Sequence, residues 1–239
     1  MQSNHLALTV GLAAETVRED GPVVHCLAPR EATAFVADVL HAAGARAVIT
    51  GTTGGGLAAA ATADALALDL ATLSADWSDA VGPALARAQD SGTPWVLDAT
   101  KLGRAPLRAD LLATAAGHRP SVVRADEVDR DAMDGLLTEL ALITADHRVL
   151  LDGGALVVPA MDAMLAQTPG FRAAATALVA ACAAVAPARE AAIAGAAWMA
   201  LASERAGGER RGPARYRMAF LDELWTIHGD EIAEYLHLG

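Results

Sequence analysis

Residues 92–98 read Gly-Thr-Pro-Trp-Val-Leu-Asp. The last four, Trp95–Asp98, are three apolar residues and an acid, which is typical of a short buried strand that ends at a polar loop. Helical spacing precedes this strand at residues 77–89 and follows it at residues 107–116. Because segments of helical length separate the strands, this part of the chain predicts βαβ units and a parallel sheet.

The same alternation extends toward both termini. On the N-terminal side we predict the end of a surface helix at residues 15–20, strands at 23–27, 45–50 and 65–70, and helices at 33–43 and 57–64. On the C-terminal side we predict a strand at 121–124, a helix at 132–141, apolar pieces at 148–151 and 155–158, and helices at 171–185, 189–206, 219–227 and 229–236. We therefore expect one α/β domain over residues 1–239, with a mostly parallel central sheet and a helical C-terminal layer.

The composition excludes several classes of protein. The 239 residues are 54% hydrophobic and 4% aromatic, and 18 Lys and Arg against 29 Asp and Glu give a net charge of −11. Disordered chains combine low hydrophobicity with high charge, and nucleic-acid binding needs clustered basic residues, so we expect neither. The two cysteines favour a reducing compartment over a disulfide scaffold.

No segment predicts export or membrane insertion. The first residues lack a basic region followed by an apolar one, which is the pattern of a secretory signal. The longest apolar run, residues 173–188, is mostly alanine and contains Thr176 and Pro187. A membrane span needs about 20 strongly apolar residues, so we expect a buried helix here and a cytoplasmic protein with no membrane partner.

Acidic residues at strand ends are the first candidates for chemistry. Ligands of an open parallel sheet bind beyond the carboxyl ends of its strands, where Asp69 and Asp98 are predicted to lie. An acid at position 98 suits a general base or a metal-bound phosphate, and it equally suits a helix cap or a turn. Asp126 and Asp129, which follow Arg124, share one face if that segment is helical. They then suit the oxygen ligands of Mg²⁺ or the acids common in a first helical turn.

Three other features have an ordinary structural explanation beside a functional one. The glycine-rich stretch 51–56 lacks the Lys-Ser/Thr of a phosphate-binding loop, and alone it predicts a flexible loop. Thr168-Pro169-Gly170 precedes a helix whose first N–H groups suit an anion, although Pro169 has no N–H to offer. His25 lies on an apolar strand, which favours a packed histidine over a ligand.

Taken in order, these pieces resemble the hydroxyethylthiazole kinase family over about residues 22–224. Residues 22–26 (PVVHC) are similar to the family's opening Pro-Leu-Val-His strand, and residues 68–74 (LDLATLS) to its Asn-Ile-Gly-Thr-Leu strand. Residues 94–98 (PWVLD) are similar to its Pro-Val-Val-Leu-Asp-Pro-Val-Gly loop. Arg124, Asp126 and Asp129 fall on its Arg-Gly-Asn-x-x-Glu motif, and residues 212–213 and 220–224 resemble its closing Gly-Pro-Gly-Ser-Phe segment.

The resemblance implies a ribokinase-like three-layer fold and transfer of the ATP γ-phosphate to the primary alcohol of a thiazole, with Mg²⁺, in thiamine salvage. It also implies a homotrimer with active sites at the subunit interfaces. The residues that it assigns to the site are Asp98 and Arg172 for catalysis, His25, Pro29, Ile49 and Lys101 for the substrate, Arg124, Asp126, Thr168 and Gly170 for phosphate or nucleotide, and Asp129 for the metal.

This chain departs from the family pattern around the predicted phosphate site. Residues 167–172 (QTPGFR) stand where the family has Val-Thr-Gly-x-Gly-Cys, which places Arg172 at the position of the catalytic cysteine. A guanidinium there suits bidentate phosphate binding, assisted by Lys101. Phe171 and Arg172 equally suit filling the anion site. Three functions therefore stay open: an ATP-dependent kinase, an enzyme that acts on another small molecule without ATP, and a non-catalytic relative. In the second, Asp98 is the acid or base, and Arg124 and Arg172 hold an anion.

Overall fold

A computed structural model describes residues 2–28, 30–50, 62–69, 78–99, 114–115, 117–125, 141–144, 148–151, 154–157, 161–207 and 212–238. These residues contain one eight-stranded sheet of order β2-β1-β3-β4-β5-β6-β7-β8. Its strands are β1 Val23–Leu27, β2 Arg46–Ile49, β3 Ala65–Asp69, β4 Trp95–Asp98, β5 Val122–Ala125, β6 Ala141–Thr144, β7 Arg148–Leu151 and β8 Gly154–Val157. The first six strands pair in parallel, and β7 and β8 are antiparallel. The predicted α/β fold with a mostly parallel sheet is confirmed.

The helices in the described residues follow the predicted order, with a short additional helix at Ala163–Ala166 that the sequence did not predict. They are α1 Gln2–Asp20, α2 Thr33–Ala42 after a 3₁₀ turn at Arg30–Ala32, α3 Ser78–Ser91, α4 Ala163–Ala166, α5 Phe171–Val185, α6 Ala188–Gly207, α7 Pro213–Thr226 and α8 Gly229–Leu238. The predicted bounds of β1, β4 and α5 are those of the structure. No helix in the described part of the chain is long and apolar enough to cross a membrane.

The alanine-rich helix α5 lies directly on one face of the sheet. Its buried alanines share one core with β1, β3, β4 and β5, the strands at the centre of the sheet. Helix α6 packs beside α5 and also contacts β5, β6 and β7, and a Cβ added at Gly195 would lie 2.9 Å from the Cα of Val179. Small side chains therefore let the backbones approach closely, which explains how an aromatic-poor chain still forms a dense core.

Three sequence predictions are wrong at their edges. Residues 62–64 are not helical, so the helix predicted at 57–64 does not extend to its predicted end, and its remainder lies outside the described residues. Ala141 begins β6 rather than ending a helix, and residues 132–140 lie outside the described residues. Helix α7 also begins at Pro213, six residues before the predicted start, because proline suits the first helical turn, where no intrahelical N–H bond is needed.

Candidate functional site

Three charged residues lie side by side where three neighbouring strands end. The register of the sheet pairs Asp69 of β3 with Asp98 of β4, and Asp98 with Arg124 of β5. Residues paired across a sheet point to the same face, and here that face is the one that α5 covers. All three are buried, with exposed fractions of 3%, 0% and 8%. The structure therefore brings together the predicted residues Asp98 and Arg124 inside the protein.

Asp98 and Arg124 form a buried ion pair. The Nη1 of Arg124 donates to Oδ2 of Asp98 at 3.0 Å. The same nitrogen lies 2.9 Å from the carbonyl oxygen of Arg172, in the first turn of α5. No hydrogen bond among the described residues uses the Nε or Nη2 of Arg124. Among the described residues, strand and helix thus fix one edge of the guanidinium, and no hydrogen bond involves its Nε and Nη2 edge.

The hydroxyl of Thr176 completes this arrangement. Its Oγ1 lies 2.9 Å from Nη1 of Arg124, 3.0 Å from Oδ2 of Asp98 and 2.9 Å from the carbonyl oxygen of Arg172. Thr176 is 1% exposed. We call Asp98, Arg124, Thr176 and the Arg172 carbonyl the strand-end network. Sequence reasoning assigned Thr176 no role. It is the one threonine or serine in the buried helix α5, and a single hydroxyl among alanines could have indicated a specific hydrogen bond.

The start of α5 is held in place by a close backbone contact. Gly170 precedes the helix with φ +82°, and a Cβ there would lie 2.9 Å from the Cα of Ala32. A residue other than glycine is therefore strained and crowded at this position. The aromatic ring of Phe171 enters the core, and the hydroxyl of Thr168 donates to the carbonyl of Met164 at 3.0 Å. The positive end of the α5 dipole is thereby fixed at the carboxyl edge of the sheet.

A second polar group anchors the segment that leads into α5. We call Asp162, Ser203 and Tyr216 the Ser203 cluster. The backbone N–H of Asp162 donates to Oγ of Ser203 at 2.7 Å, and that hydroxyl lies 3.1 Å from the hydroxyl of Tyr216. The carboxylate of Asp162 accepts from the N–H of Met164 at 2.7 Å and so caps α4. This cluster joins α4 to α6 and α7.

His25 lies apart from the strand-end network. Its neighbours Val24 and Cys26 point into the core under α5, so His25 points to the opposite face of the sheet. It is 0% exposed, and its Nε2 lies 2.7 Å from Oγ1 of Thr50. Burial lowers the pKa of His25 to about 4, so the ring is neutral at pH 7. Within the described residues its Nδ1 has no hydrogen-bond partner.

The remaining predicted site residues fall into two groups. Ile49 is half-buried at the end of β2 and packs against the core. Pro29, Lys101, Asp126 and Asp129 lie outside the described residues, as does the glycine-rich stretch 51–56. The roles assigned to all of these residues stay predictions.

The described residues do not provide a metal site of their own. No group of three His, Cys, Asp or Glu side chains in them is arranged to hold a metal ion. Asp69 and Asp98, which the sheet places next to each other, include a carboxylate already engaged by Arg124 and Thr176. A protein-held Mg²⁺ does not fit this part of the site.

Comparison with known proteins finds relatives across nearly the whole chain. The model of the hydroxyethylthiazole kinase family matches residues 14–136. A protein of Desulforudis audaxviator named hydroxyethylthiazole kinase is 32% identical over 98% of this chain and 96% of its own length. A protein of the same name from Cereibacter sphaeroides is 30% identical over 91% of this chain and 93% of its own.

A solved structure shows the same fold. It is described as a hydroxyethylthiazole kinase protein from Pyrococcus horikoshii, and it superposes with a TM-score of 0.81 at 21% identity. The match covers 93% of this chain and 95% of that one.

Proposed function

The chain belongs to the hydroxyethylthiazole kinase family, and we propose that it transfers a phosphoryl group from ATP to the primary alcohol of hydroxyethylthiazole or of a close analogue. The observation that carries the proposal is the likeness to relatives of that name over 98% of the chain. The strand-end network supports it, because phosphoryl transfer depends mainly on positioned cations and dipoles.

In this proposal Arg124 binds a phosphate of the nucleotide. Its Nη1 is held by Asp98, Thr176 and the Arg172 carbonyl, whereas Nε and Nη2 bond to none of the described residues. We assign this second edge as the fork that binds phosphate through two hydrogen bonds. The N-terminus of α5 adds a positive dipole end beside it. The role of Asp98 is then to hold Arg124, since its own carboxylate is 0% exposed.

Magnesium enters this proposal with the nucleotide. When bound to the phosphates of ATP it neutralises charge that develops during the transfer. The carboxylates predicted to meet it, Asp126 and Asp129, follow β5 directly in the chain. The described residues contain no group of three His, Cys, Asp or Glu side chains that could hold the metal in their place.

The substrate side of the proposed site involves the ends of β1 and β2. His25 is 0% exposed, so we assign it an indirect role through Thr50, which precedes the glycine-rich stretch 51–56. Ile49, Pro29 and Lys101 are proposed to line the pocket, as the family resemblance implies. Arg172 and the turn at Thr168 and Gly170 complete the phosphate side.

We also propose that the protein is a cytoplasmic homotrimer. Helix α7 exposes Met218 and Trp225, which are 66% and 57% exposed and lie seven residues apart, hence on one face. In an enzyme with active sites at subunit interfaces, contact with a second copy of the chain would bury these side chains. Light scattering coupled to gel filtration measures the oligomeric state.

A second candidate function is an enzyme, or a non-catalytic protein, that uses the same pocket without ATP. Two observations favour it. Pro169 has no N–H, and Phe171 places its ring in the core where the family resemblance predicts a glycine. The turn before α5 therefore has fewer free backbone donors for a triphosphate than a glycine-rich loop.

One assay distinguishes the two candidates. The purified chain is incubated with MgATP and hydroxyethylthiazole, and ADP is measured together with the mass of the thiazole product. We expect ADP in equal amount to a product heavier by one phosphoryl group, and a higher melting temperature with MgATP, since a ligand that binds the folded state stabilises it. A chain that neither forms ADP nor changes its melting temperature with millimolar MgATP contradicts the kinase proposal and favours the second candidate.

A further inference from the structure

We propose that Thr176 is a positioning residue for the phosphate side of the site. Its hydroxyl fixes the orientation of the Arg124 guanidinium relative to the first turn of α5, and thereby the direction in which Nε and Nη2 face. This inference rests on the proposed function, because the orientation matters only where Arg124 binds phosphate.

The position of the Thr176 hydroxyl supports this role. Oγ1 of Thr176 contacts one atom from each of three elements: Oδ2 of Asp98 on β4, Nη1 of Arg124 on β5, and the first-turn carbonyl of Arg172 on α5. Two strands and a helix terminus thus meet at a single oxygen. A change in the position of that oxygen moves the guanidinium and the helix end relative to each other.

The charges of Asp98 and Arg124 are paired without the Thr176 hydroxyl. Nη1 of Arg124 carries two hydrogens, and Asp98 and the Arg172 carbonyl offer an acceptor for each. The hydroxyl is therefore not needed to compensate the buried guanidinium. Its one hydrogen has two acceptors within reach, Asp98 and the Arg172 carbonyl, so its contribution is the geometry of the network.

The residues around Thr176 in α5 also favour a specific role for its hydroxyl. Residues 173–175 and 177 are alanines that fill the same core, and alanine is the better helix former. A threonine here carries a cost in helix propensity and buries a hydroxyl at 1% exposure. The hydrogen bonds of this hydroxyl with Asp98 and Arg124 offset the cost.

The expected consequence is a loss of preorganisation. When the guanidinium is held in its binding orientation before the phosphate arrives, less freedom is lost on binding. Without the hydroxyl we expect about tenfold weaker phosphate binding, in the range typical for one hydrogen bond to a charged group.

The test compares three variants of the full-length chain. Thr176→Val keeps the shape and removes the hydroxyl, and Thr176→Ser keeps the hydroxyl. The matched control is Thr16→Val, because Thr16 also donates to the carbonyl four residues before it, Leu12, at 2.9 Å, but lies in α1 outside the network. Calorimetric titration with inorganic pyrophosphate measures phosphate binding, and steady-state kinetics measure KM for ATP and for the alcohol separately.

We expect Thr176→Val to raise the pyrophosphate dissociation constant and the KM for ATP about tenfold, with the KM for the alcohol unchanged. Thr176→Ser should restore the pyrophosphate affinity, and Thr16→Val should match the unmodified chain. The inference is overturned if Thr176→Val binds pyrophosphate as tightly as the unmodified chain. It is also overturned if Thr176→Ser binds pyrophosphate as weakly as Thr176→Val. Failure of the unmodified chain to bind pyrophosphate also overturns it.

The same titration separates this inference from the proposed function. A chain that binds pyrophosphate but forms no ADP with any alcohol contradicts the kinase proposal, whereas the effect of Thr176→Val on the titration still decides the positioning role. If the unmodified chain and Thr176→Val both form ADP and have the same KM for ATP, only the positioning role is contradicted.

Discussion

The strand-end network and the Ser203 cluster are two buried polar groups built on different principles. The first contains a full ion pair, Asp98 with Arg124, at the carboxyl edge of the sheet. The second joins the hydroxyls of Ser203 and Tyr216 to a backbone N–H between helices. In each, hydroxyl groups connect separate elements of the fold. The first buries an ion pair, whereas the carboxylate of the second, that of Asp162, is only partly buried and accepts from a backbone N–H.

This difference shows where the fold needs charges and where it does not. Replacing a buried ion pair by apolar residues is often neutral or stabilising, because desolvation offsets the attraction of the charges. The Ser203 cluster shows that α4, α6 and α7 are joined through the hydroxyls of Ser203 and Tyr216 without an ion pair between these groups. An ion pair at the edge where ligands of a parallel sheet bind agrees with the role in phosphate binding proposed above for Arg124.

The largest expected effect comes from removing one partner of the ion pair. We expect Arg124→Met to lower the free energy of unfolding by about 3–5 kcal/mol, because Asp98 is then a buried charge without its counterion. Chemical denaturation measures this free energy. The matched control is Arg205→Met, since Arg205 pairs with Glu231 at 2.7 Å with both side chains about one-third exposed, and such pairs contribute less than about 1 kcal/mol.

A double variant sharpens the comparison. Arg124→Met combined with Asp98→Asn removes both charges, and we expect it to be more stable than Arg124→Met alone. Equal costs for Arg124→Met and Arg205→Met would show that burial does not distinguish the two ion pairs, and the contrast with the Ser203 cluster would then lose its basis.

His25 tests what happens to a buried basic group that lacks a counterion. No ion pair joins it to an acid within the described residues, and burial lowers its pKa from 6.5 to about 4. Between these values the unfolded chain binds a proton that the folded chain does not, so stability is full above about pH 6.5 and falls as the pH falls toward 4. The expected slope is about 1.4 kcal/mol per pH unit, or about 3 kcal/mol in total.

The variant His25→Gln isolates this effect from the other titrating groups. It removes the ionisable ring, so its unfolding free energy should depend less on pH than that of the unmodified chain between pH 6.5 and 4. Urea denaturation at several pH values measures the difference. Parallel curves for the two proteins would mean that His25 is protonated in the folded state, and that this face of the sheet accepts a charge.

The sequence predicted the elements of the fold better than it predicted the site. Strand β4 and helix α5 were predicted with their observed bounds, because apolar runs with clear breaks carry that information. Strand β6 was missed for two reasons. The apolar residues of Ala141–Thr144 continue the helical spacing of the preceding segment, and a strand of four residues is too short to show an alternating pattern.

The site was predictable only as far as strand ends reveal it. Placing Asp98 and Arg124 at the carboxyl edge follows from chain order and the rule for parallel sheets. That Asp98 is fully buried and hydrogen-bonded to Thr176 depends on where α5 lies on the sheet. These two residues are 78 positions apart in the chain, so no local sequence pattern predicts their contact.

The smallest expected effect concerns the Ser203 cluster itself. Ser203→Ala removes the acceptor of the Asp162 N–H and one partner of the Tyr216 hydroxyl, which still has the Ser203 carbonyl at 3.4 Å. We expect the free energy of unfolding to fall by about 1–2 kcal/mol, the cost of unmade neutral hydrogen bonds, with pyrophosphate affinity unchanged. Denaturation and calorimetric titration of the same preparation measure both. If Ser203→Ala weakens pyrophosphate binding as much as Thr176→Val does, the Ser203 cluster and the strand-end network affect the start of α5 equally. The buried charges at the strand ends would then have no specific effect on phosphate binding.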